Sequence, residues 1–249
     1  MSDTYTADST PSSRLRTFTV SWFSAGVSSA VATKLLIDQI DKIIYTHIDD
    51  QHPDTMRFVR DCEKWFGKEI EIIQSPYKNV DNALRAVCYI NGIHGAPCTR
   101  LLKRRVRQEW EMDRENLTYV WGMDMTEQHR CDRLIDAMPK QKHIFPLIDR
   151  KLSKNEAHQI LRASGIKRPA MYDLGYHNNN CIGCVKGGMG YWNKIRIDFP
   201  EVFQKRIETE QLIGASCLKI PLVELDPNMG RHEDIIMDDC GLFCEMMAV

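Results

Sequence analysis

The stretch from Thr17 to Asp38, TFTVSWFSAGVSSAVATKLLID, decides the fold. Thr17 to Phe23 consists mainly of β-branched and aromatic residues, which is typical of a buried strand. From Ala30 to Ile37 good helix formers follow, with apolar residues at helical spacing. A strand, a tight loop and a helix direct backbone N–H groups and the positive helix end at one point. The stretch therefore predicts either a phosphate site or an ordinary turn between a strand and a helix.

The loop of this stretch carries no standard nucleotide signature. No Gly-Lys-Ser/Thr follows it and it contains no GxGxxG, so it is neither a Walker loop nor a dinucleotide fingerprint. A glycine allows close approach of the backbone, and the serine hydroxyls could add hydrogen-bond donors. The candidate phosphate-binding residues are Ser24, Ala25, Gly26, Val27, Ser28 and Ser29.

Strand-like segments alternate with helical segments along the rest of the chain. This alternation predicts βαβ units and a mostly parallel sheet with helices on both faces. Further strands are predicted at Lys42–Ile48, Glu69–Gln74 and Leu117–Gly122. Helices are predicted at Thr55–Phe66, Val80–Asn91, Cys98–Glu111, Ser153–Ala163 and Phe203–Leu212, and Ser153 with Glu156 forms a capping-box pattern.

The carboxyl ends of these strands are where a ligand is expected. Ligands of parallel α/β sheets bind beyond the carboxyl ends of the strands. Ser24, Asp49 and Asp124 each follow a predicted strand. All three are therefore expected on one rim of the sheet.

Length and composition indicate a globular protein. The 249 residues are 43% hydrophobic and 27% charged, and the net charge of −1 provides no general attraction to nucleic acid or membrane. No apolar run approaches the ~20 residues that span a bilayer, and the polar N-terminus lacks a signal-peptide core. We predict a disordered lead-in at 1–15, a nucleotide-binding domain at 16–150 and a helical, cysteine-rich region at 151–249 packed on it.

The nine cysteines indicate metal or redox chemistry. Without an export signal, so many cysteines point to a reducing compartment, and we expect a cytoplasmic protein. Cys181 and Cys184 form a C-x-x-C followed by glycines, a spacing that suits zinc or an iron–sulfur cluster. A redox dithiol is the rival interpretation of this pair. Cys98 begins the predicted basic helix, where a helix N-terminus lowers a thiol pKa.

The remaining cysteines fall into two groups. Cys240 and Cys244 form a second compact pair near the end of the sequence. Four others stand alone in apolar or helical surroundings, and we predict that they are small core residues: Cys62, Cys88, Cys131 and Cys217.

Two groups of charged residues are candidate ligands for an anion. A basic run is formed by Arg100, Lys103, Arg104, Arg105 and Arg107. It is a solvated helix face, a set of contacts to phosphate or sulfate, or a nucleic-acid footprint, and the lack of stacking aromatics favours a small anion over nucleic acid. Arg130, near Glu127, could contact phosphate or sulfate from the rim, or the two could form a surface ion pair.

In order and spacing, these segments together resemble the phosphoadenosine phosphosulfate (PAPS) reductase family of the adenine nucleotide alpha-hydrolase-like superfamily. The resemblance extends from about Thr17 to Cys244. The segments that carry it are Ser24 to Ser29, His52-Pro53-Asp54-Thr55, Cys98 to Lys103, Gly122 to Arg130, Pro146 to Asp149, Tyr172 to Tyr176 and Cys181-x-x-Cys184.

The resemblance implies a Rossmann-like sheet of the HUP, or PP-loop, type, with five strands or a similar number. It implies an adenine nucleotide (ATP, adenosine phosphosulfate (APS) or PAPS) with its phosphates at Ser24 to Ser29. The further nucleotide-binding residues that it implies are Thr46, His47, Ile48, Gly122, Arg100 and Lys103. It also implies a [4Fe–4S] cluster, with zinc as the alternative, on Cys98, Cys181 and Cys184.

The chain departs from the family at three places. Pro97 stands where the cluster-bearing reductases have the first of two adjacent cysteines. The fourth metal ligand is therefore Cys240 or Cys244, or one iron is open and could hold a transferable sulfide. The family's C-terminal Glu-Cys-Gly-Leu-His corresponds here to Asp239-Cys240-Gly241-Leu242-Phe243. The phosphate loop also has Ala25 and Ser28 in place of a glycine and an aspartate, which leans against ATP activation.

Three functions follow from this resemblance as expectations. The first is reduction of APS or PAPS to sulfite, with Cys240, Arg130 and Glu127 as catalytic residues and a thioredoxin-like or other thiol donor as partner. The second is ATP-dependent thiolation of tRNA or DNA through adenylation. The third is a non-catalytic module in which zinc joins the cysteine pairs. A homodimer is a further expected assembly, and no membrane partner is expected.

Overall fold

The computed structural model describes residues 17–92 and 95–230. Its centre is a single five-stranded sheet in which every neighbouring pair of strands is parallel. The strands lie in the order β3-β2-β1-β4-β5. They are β1 (Phe18–Phe23), β2 (Lys42–His47), β3 (Ile70–Gln74), β4 (Leu117–Val120) and β5 (Lys142–Ile144). The predicted α/β class and parallel sheet are confirmed.

Helices connect and cover these strands. The longer ones are α1 (Val27–Leu35), α2 (Asp54–Phe66), α3 (Val80–Arg85), α5 (Arg105–Glu111), α6 (Gln128–Ala137), α8 (Lys154–Ala163), α10 (Met189–Asp198) and α11 (Pro200–Ile213). Single turns form α4 (Pro97–Thr99), α7 (Pro146–Asp149) and α9 (Ala170–Asp173). A π-helical segment (Arg100–Arg104) joins α4 to α5, and two 3₁₀ turns lie at Met125–Glu127 and Leu222–Glu224.

The two faces of the sheet carry separate cores because alternate residues of a strand point to opposite sides. Ile43 and Tyr45 pack with residues of α1, α2 and α8. Ile44, between them, packs on the other face with Tyr119 of β4 and Leu134 of α6. A third cluster extends from Ile48, just beyond β2, to α3, α4, α10 and α11. This third cluster contains the predicted cysteine site.

Local signals predicted most elements, with informative exceptions. The capping box of Ser153 and Glu156 opens α8 as predicted. The helix predicted to reach Asn91 ends at Arg85. Cys88, just after it, adopts a positive φ of 48°, which a right-handed helix does not allow. Cys88 is also exposed, so its predicted core position is wrong, whereas the other three lone cysteines are buried.

The segments after α7 contact the half of the chain that is predicted to bind nucleotide. α8 packs against α1 through Ala157 and Leu161. The division of the chain at residue 150 stays a prediction.

In the ranges that the structure describes, no helix combines the length and the apolar character that crossing a bilayer requires.

Candidate functional site

The candidate site lies at the carboxyl edge of the sheet. β1 has β2 on one side and β4 on the other, so the chain order reverses beside β1. This reversal is the switch point at which α/β sheets bind ligands. Because all strands are parallel, Ser24, Asp49 and Asp124 follow strands that end at the same edge.

Gly122 brings the end of β4 against the start of α1. A Cβ atom on Gly122 would lie 2.5 Å from Ser29 Cα and 2.6 Å from Ser29 N, closer than real Cβ atoms approach backbone. Only glycine therefore permits this approach. Gly122, predicted to bind nucleotide, forms one wall of the loop that is predicted to hold phosphate.

The predicted phosphate loop is a tight turn held by its own side chains. Ala25 has a φ of 58°, a left-handed conformation that glycine adopts more readily than alanine. Ser24 Oγ donates to Ser29 Oγ at 2.9 Å, and Ser29 Oγ donates to the Gly26 carbonyl at 3.0 Å. The buried Ser29 hydroxyl therefore shapes the loop, whereas Ser28 is half-buried.

Two side chains from the C-terminal half complete the loop, and their long-range role was not predicted. The Val27 N–H donates to Tyr172 Oη at 3.3 Å, at the first turn of α1. Asn179 Nδ2 donates to the Ala25 carbonyl at 2.9 Å and to Thr55 Oγ1 at 3.1 Å. Asn179 is buried, and it ties the loop to α2 and to the segment just before the C-x-x-C.

The three predicted cysteine ligands converge on one small cavity. Cys98 from α4 and Cys181 and Cys184 from the C-x-x-C all line it, together with Ile48 and Lys103. All three cysteines are buried. Among residues 17–92 and 95–230, however, no group of three or more histidine, cysteine, aspartate or glutamate side chains forms a ready metal site. The fold thus gathers the three thiols around one cavity without closing them into a ligand shell.

Tyr191, from α10, shapes the C-x-x-C loop from inside. Its hydroxyl accepts a hydrogen bond from the Cys184 N–H at 2.8 Å and donates to the Cys181 carbonyl at 3.3 Å. Burial raises the pKa of Tyr191 well above its ordinary value, so its hydroxyl keeps the proton that it donates. The sequence offered no signal for this role beyond the nearness of a tyrosine to the glycines.

The C-x-x-C loop is also held from outside. The Ile182 N–H donates to the Asp50 carbonyl at 2.8 Å, which ties the loop to the turn after β2. Gly183 has a φ of 69°, and a Cβ atom there would lie 2.6 Å from Val202 Cγ1. Arg206 Nη2 donates to the Gly183 carbonyl at 3.4 Å. Glycine at this position therefore permits both the turn and the contact with α11.

The side chains of the basic run lie in different places: some are buried, some are on the surface, and one lines the cysteine cavity. Arg107 is buried, and its guanidinium pairs with Glu111 at 2.5 Å. Arg105 is exposed and pairs with Glu109 at 2.7 Å. Lys103 lines the cysteine cavity, and Arg100 is exposed at the start of the π-helical segment. Of this run, Lys103 has the position best suited to an anion at the cavity.

Glu127 and Arg130 form a partly buried pair in the segment that follows β4. The carboxylate of Glu127 accepts from the Asp124 N–H at 3.1 Å as part of a capping box, and also from Arg130 Nη1. The Arg130 side chain is only 5% exposed, so the pair is not a surface ion pair. Both side chains have structural contacts, and their catalytic roles stay predictions.

The residues predicted to lie along adenine continue the same edge. Ile48 is buried at the cysteine cavity, while Thr46 and His47 are half-buried. His47 Nε2 lies 3.6 Å from Asp49 Oδ1. Gln51 Oε1 accepts from the Ile48 N–H at 3.1 Å and from the Tyr45 hydroxyl, which fixes the turn after β2.

The predicted Cys240 and Cys244 lie outside the described residues. The last described residue, Gly230, packs against the backbone of Met189 and Gly190, at the start of α10. Asn193 Nδ2 holds this approach by donating to the carbonyls of Asp226 (2.9 Å) and Met229 (2.7 Å). The chain therefore leaves the described part close to the helix that carries Tyr191.

Comparison of the chain with models of protein families and with curated proteins gave no match.

Proposed function

We propose that the chain is an adenine-nucleotide-binding enzyme of sulfur chemistry, akin to PAPS reductases, and that it reduces a sulfonucleotide to sulfite. The observation that carries this proposal is the convergence of Cys98, Cys181 and Cys184 on one cavity beside Lys103. Cys98 is distant in the chain from the Cys181–Cys184 pair, yet all three line one cavity next to Ile48, which follows a strand that ends at the same edge of the sheet as the Ser24–Ser29 loop. Thiols beside a nucleotide site are what thiol-dependent transfer of a sulfo group requires.

The nucleotide would lie across the switch point beside β1. Its phosphates would meet the backbone N–H groups of the Ser24–Ser29 loop, where the α1 dipole favours negative charge. The Gly122 approach and the Asn179 hydrogen bonds support the shape of that loop. Lys103 would supply positive charge between this loop and the cysteines.

The donor set at the cavity suits a [4Fe–4S] cluster or zinc. Three thiols match the ligand chemistry of either group. Cys98, Cys181 and Cys184 would hold it, with Cys240 or Cys244 as the proposed fourth ligand. When bound, a cluster would supply charge and electron-transfer capacity next to the reacting sulfur.

Cys240 is the proposed nucleophile unless it ligates the metal. Its thiolate would attack the sulfonate sulfur, forming an S–S bond and breaking the bond to the phosphate oxygen, which leaves with the nucleotide. A second thiolate from an external dithiol would then attack Cys240 Sγ, forming a disulfide and releasing sulfite. The two electrons that reduce the sulfo group come from the two thiols, so the reaction balances without a further reductant.

The experiment uses the full chain, purified without oxygen and supplied with labelled APS or PAPS and a dithiol. We expect sulfite from the wild type and only background from Cys240→Ser. Cys88→Ser is the matched control, because Cys88 is exposed and does not line the cysteine cavity. Its activity is expected to equal that of the wild type. Cys181→Ser is expected to lose the visible absorption of the cluster.

Three outcomes would contradict the proposal. Absence of sulfite from a protein that carries an intact cluster would exclude sulfonucleotide reduction. Release of pyrophosphate from ATP in that same protein would favour thiolation of a nucleic acid instead. A colourless protein that binds zinc at these cysteines and turns over neither nucleotide would favour the non-catalytic module.

A further inference from the structure

A second and larger cavity lies between α8 and the segment that follows it. It has a volume of about 730 Å³, within the range of small-ligand sites. Its lining residues come from 154–162 on α8 and from 166–177. It shares no lining residue with the cysteine cavity. The sequence analysis did not predict it, although its two walls follow one another directly in the chain.

The lining of this cavity is strongly basic. It includes four lysine or arginine residues and two histidines, but no aspartate or glutamate. The basic residues are Lys154, His158, Arg162, Lys167, Arg168 and His177. A concave surface lined by charges of one sign concentrates the electric field and attracts ions of the opposite sign. The cavity is therefore suited to an anion.

Only part of this charge is neutralised by neighbouring residues. Arg168 Nε pairs with Asp173 Oδ1 at 2.7 Å, and Lys154 Nζ donates to the uncharged Asn178 Oδ1 at 2.6 Å. Arg162 and Lys167 are exposed, and neither side chain has an ion pair with a described residue. At least two positive charges at the cavity are thus available to a ligand.

The wall that carries two of these charges is held in place by α2. Arg57 donates to the carbonyls of Lys167 at 2.8 Å and Arg168 at 3.1 Å. Asp54 Oδ2, which pairs with Arg57, accepts from the Ala170 N–H at 2.9 Å. The backbone that carries these cations is therefore braced before any ligand binds.

The pKa of His158 reflects its burial and the positive charges around the cavity. Burial, together with the positive charges of Arg168 and Lys154, lowers the pKa of His158 to about 4. Its ring contacts the Tyr172 ring edge-to-face, with the centroids 4.8 Å apart. Tyr172 in turn accepts from the Val27 N–H, so this cavity borders the phosphate loop.

We propose that this basic cavity is a second ligand site, which binds a small molecule carrying two or more phosphate groups. The concave shape favours a compact ligand over a nucleic acid, whose backbone requires an open groove. The two exposed cations Arg162 and Lys167, which have no ion pair with a described residue, favour more than one phosphate. The inference does not rest on the proposed reduction, since it requires neither the cysteines nor a cluster.

The experiment measures binding of inorganic tripolyphosphate to the full chain by calorimetry at low salt and in buffer without phosphate. We expect binding to be at least about tenfold weaker in Arg162→Gln/Lys167→Gln than in the wild type. The matched control is Arg133→Gln/Lys140→Gln, which removes two exposed cations outside the cavity and should leave the affinity unchanged. Ser28→Asp places a negative charge in the phosphate loop. It therefore distinguishes binding of tripolyphosphate at that loop from binding at the basic cavity.

Other results would overturn the inference. Equal weakening in both double variants would indicate general electrostatic attraction, and loss only in Ser28→Asp would assign binding to the phosphate loop. A single-stranded oligonucleotide that binds more tightly than tripolyphosphate, and loses affinity in the cavity variant, would make nucleic acid the ligand. Bound anion should also raise the pKa of His158 in a nuclear magnetic resonance titration, and an unchanged pKa would contradict occupancy of the cavity. Sulfite formation measured on the same variants tests the proposed reaction separately.

Discussion

The hydroxyl of Tyr191 makes both of its hydrogen bonds to the backbone of the Cys181–Cys184 loop. A buried N–H group without an acceptor costs free energy that a hydrogen bond otherwise offsets. The Tyr191 side chain therefore fixes the backbone of both cysteines and, with it, the relative positions of their thiols.

Tyr191→Phe removes that hydroxyl and keeps the ring. We expect the free energy of unfolding to fall by about 1–3 kcal/mol, because the Cys184 N–H loses its buried acceptor. Urea denaturation measures the change. Tyr77→Phe is a suitable comparison, since Tyr77 packs only partly buried against the same core cluster. A loss no larger than that of the comparison would show that another group satisfies Cys184.

Gly122 is the second position at which a single atom decides the local structure. We expect Gly122→Ser to reduce the free energy of unfolding by about 1–3 kcal/mol or more, since its Cβ would collide with the Ser29 backbone. It should also displace the Ser24–Ser29 loop and thereby weaken the proposed binding of nucleotide. Gly188→Ser is the matched control, because a Cβ there meets nothing within 4 Å and serine is a favourable N-cap. Equal stability of the two variants would refute the close approach.

At the scale of elements, α11 links α3 to the cysteine cavity through a buried ionic network. Arg206 Nη1 lies 2.6 Å from Asp81 Oδ1, and Thr209 Oγ1 donates to the same oxygen at 3.0 Å. Lys205 Nζ lies 2.8 Å from Asp81 Oδ2. The contact is not a well-directed hydrogen bond, so Lys205 acts on Asp81 mainly through its positive charge. Burial raises the pKa of Asp81, but the charges of Arg206 and Lys205 outweigh that effect and lower its pKa overall.

Replacing one partner of this pair should lower the free energy of unfolding more than replacing both partners. Asp81→Leu leaves the Arg206 charge buried, at 2% exposure, and we expect a loss of about 3–5 kcal/mol in the free energy of unfolding. Asp81→Leu/Arg206→Met replaces both ions by apolar groups and should recover part of that loss. A double-mutant cycle measured by chemical denaturation gives the coupling.

The comparison for this cycle is the exposed pair of Arg105 and Glu109 on α5. Because solvent screens such a pair, Arg105→Met should change stability far less than Asp81→Leu. If the double variant at α11 is less stable than the single one, the buried pair itself must stabilise the junction between α3 and α11.

For the whole molecule, two half-buried histidines make stability depend on pH at its acidic end. The pKa of His158 is lowered from 6.5 to about 4, so the unfolded chain takes up a proton first as the pH falls. The free energy of unfolding therefore rises with pH between about 4 and 6.5, and the contribution of His158 is complete above that window. Burial lowers the pKa of His143 as well, and that residue acts in the same direction.

His158→Gln should make this dependence shallower. We expect the variant to lose less stability than the wild type as the pH falls from 6.5 to about 4. Thermal denaturation in buffers without phosphate measures both curves, and the gap between them should be constant above pH 6.5. Parallel curves through the acidic window would mean that His158 titrates normally in the folded chain.

Local signals in the sequence predicted the elements well where the backbone obeys side-chain preference. β-branched residues indicated β1, and the Ser153–Glu156 pattern indicated the start of α8. The prediction failed at Cys88, because a positive φ at a non-glycine residue leaves no trace in helix propensity. It was also incomplete for Arg107, which is buried and whose partner Glu111 is held in turn by the hydroxyl of Tyr119 from β4.

The sequence by itself determined the parallel α/β class and the kinds of side chain that follow each strand, because these depend on periodicity and on neighbours along the chain. Only the tertiary structure decided which of those side chains meet. Asn179 reaches Ala25 across 154 residues, and Cys98 joins the Cys181–Cys184 loop at one cavity. Such contacts depend on the order of strands in the sheet and on how the helices pack over its edge. The basic cavity is lined by one continuous stretch, 154–177, and what the structure added is the concave arrangement of its cations.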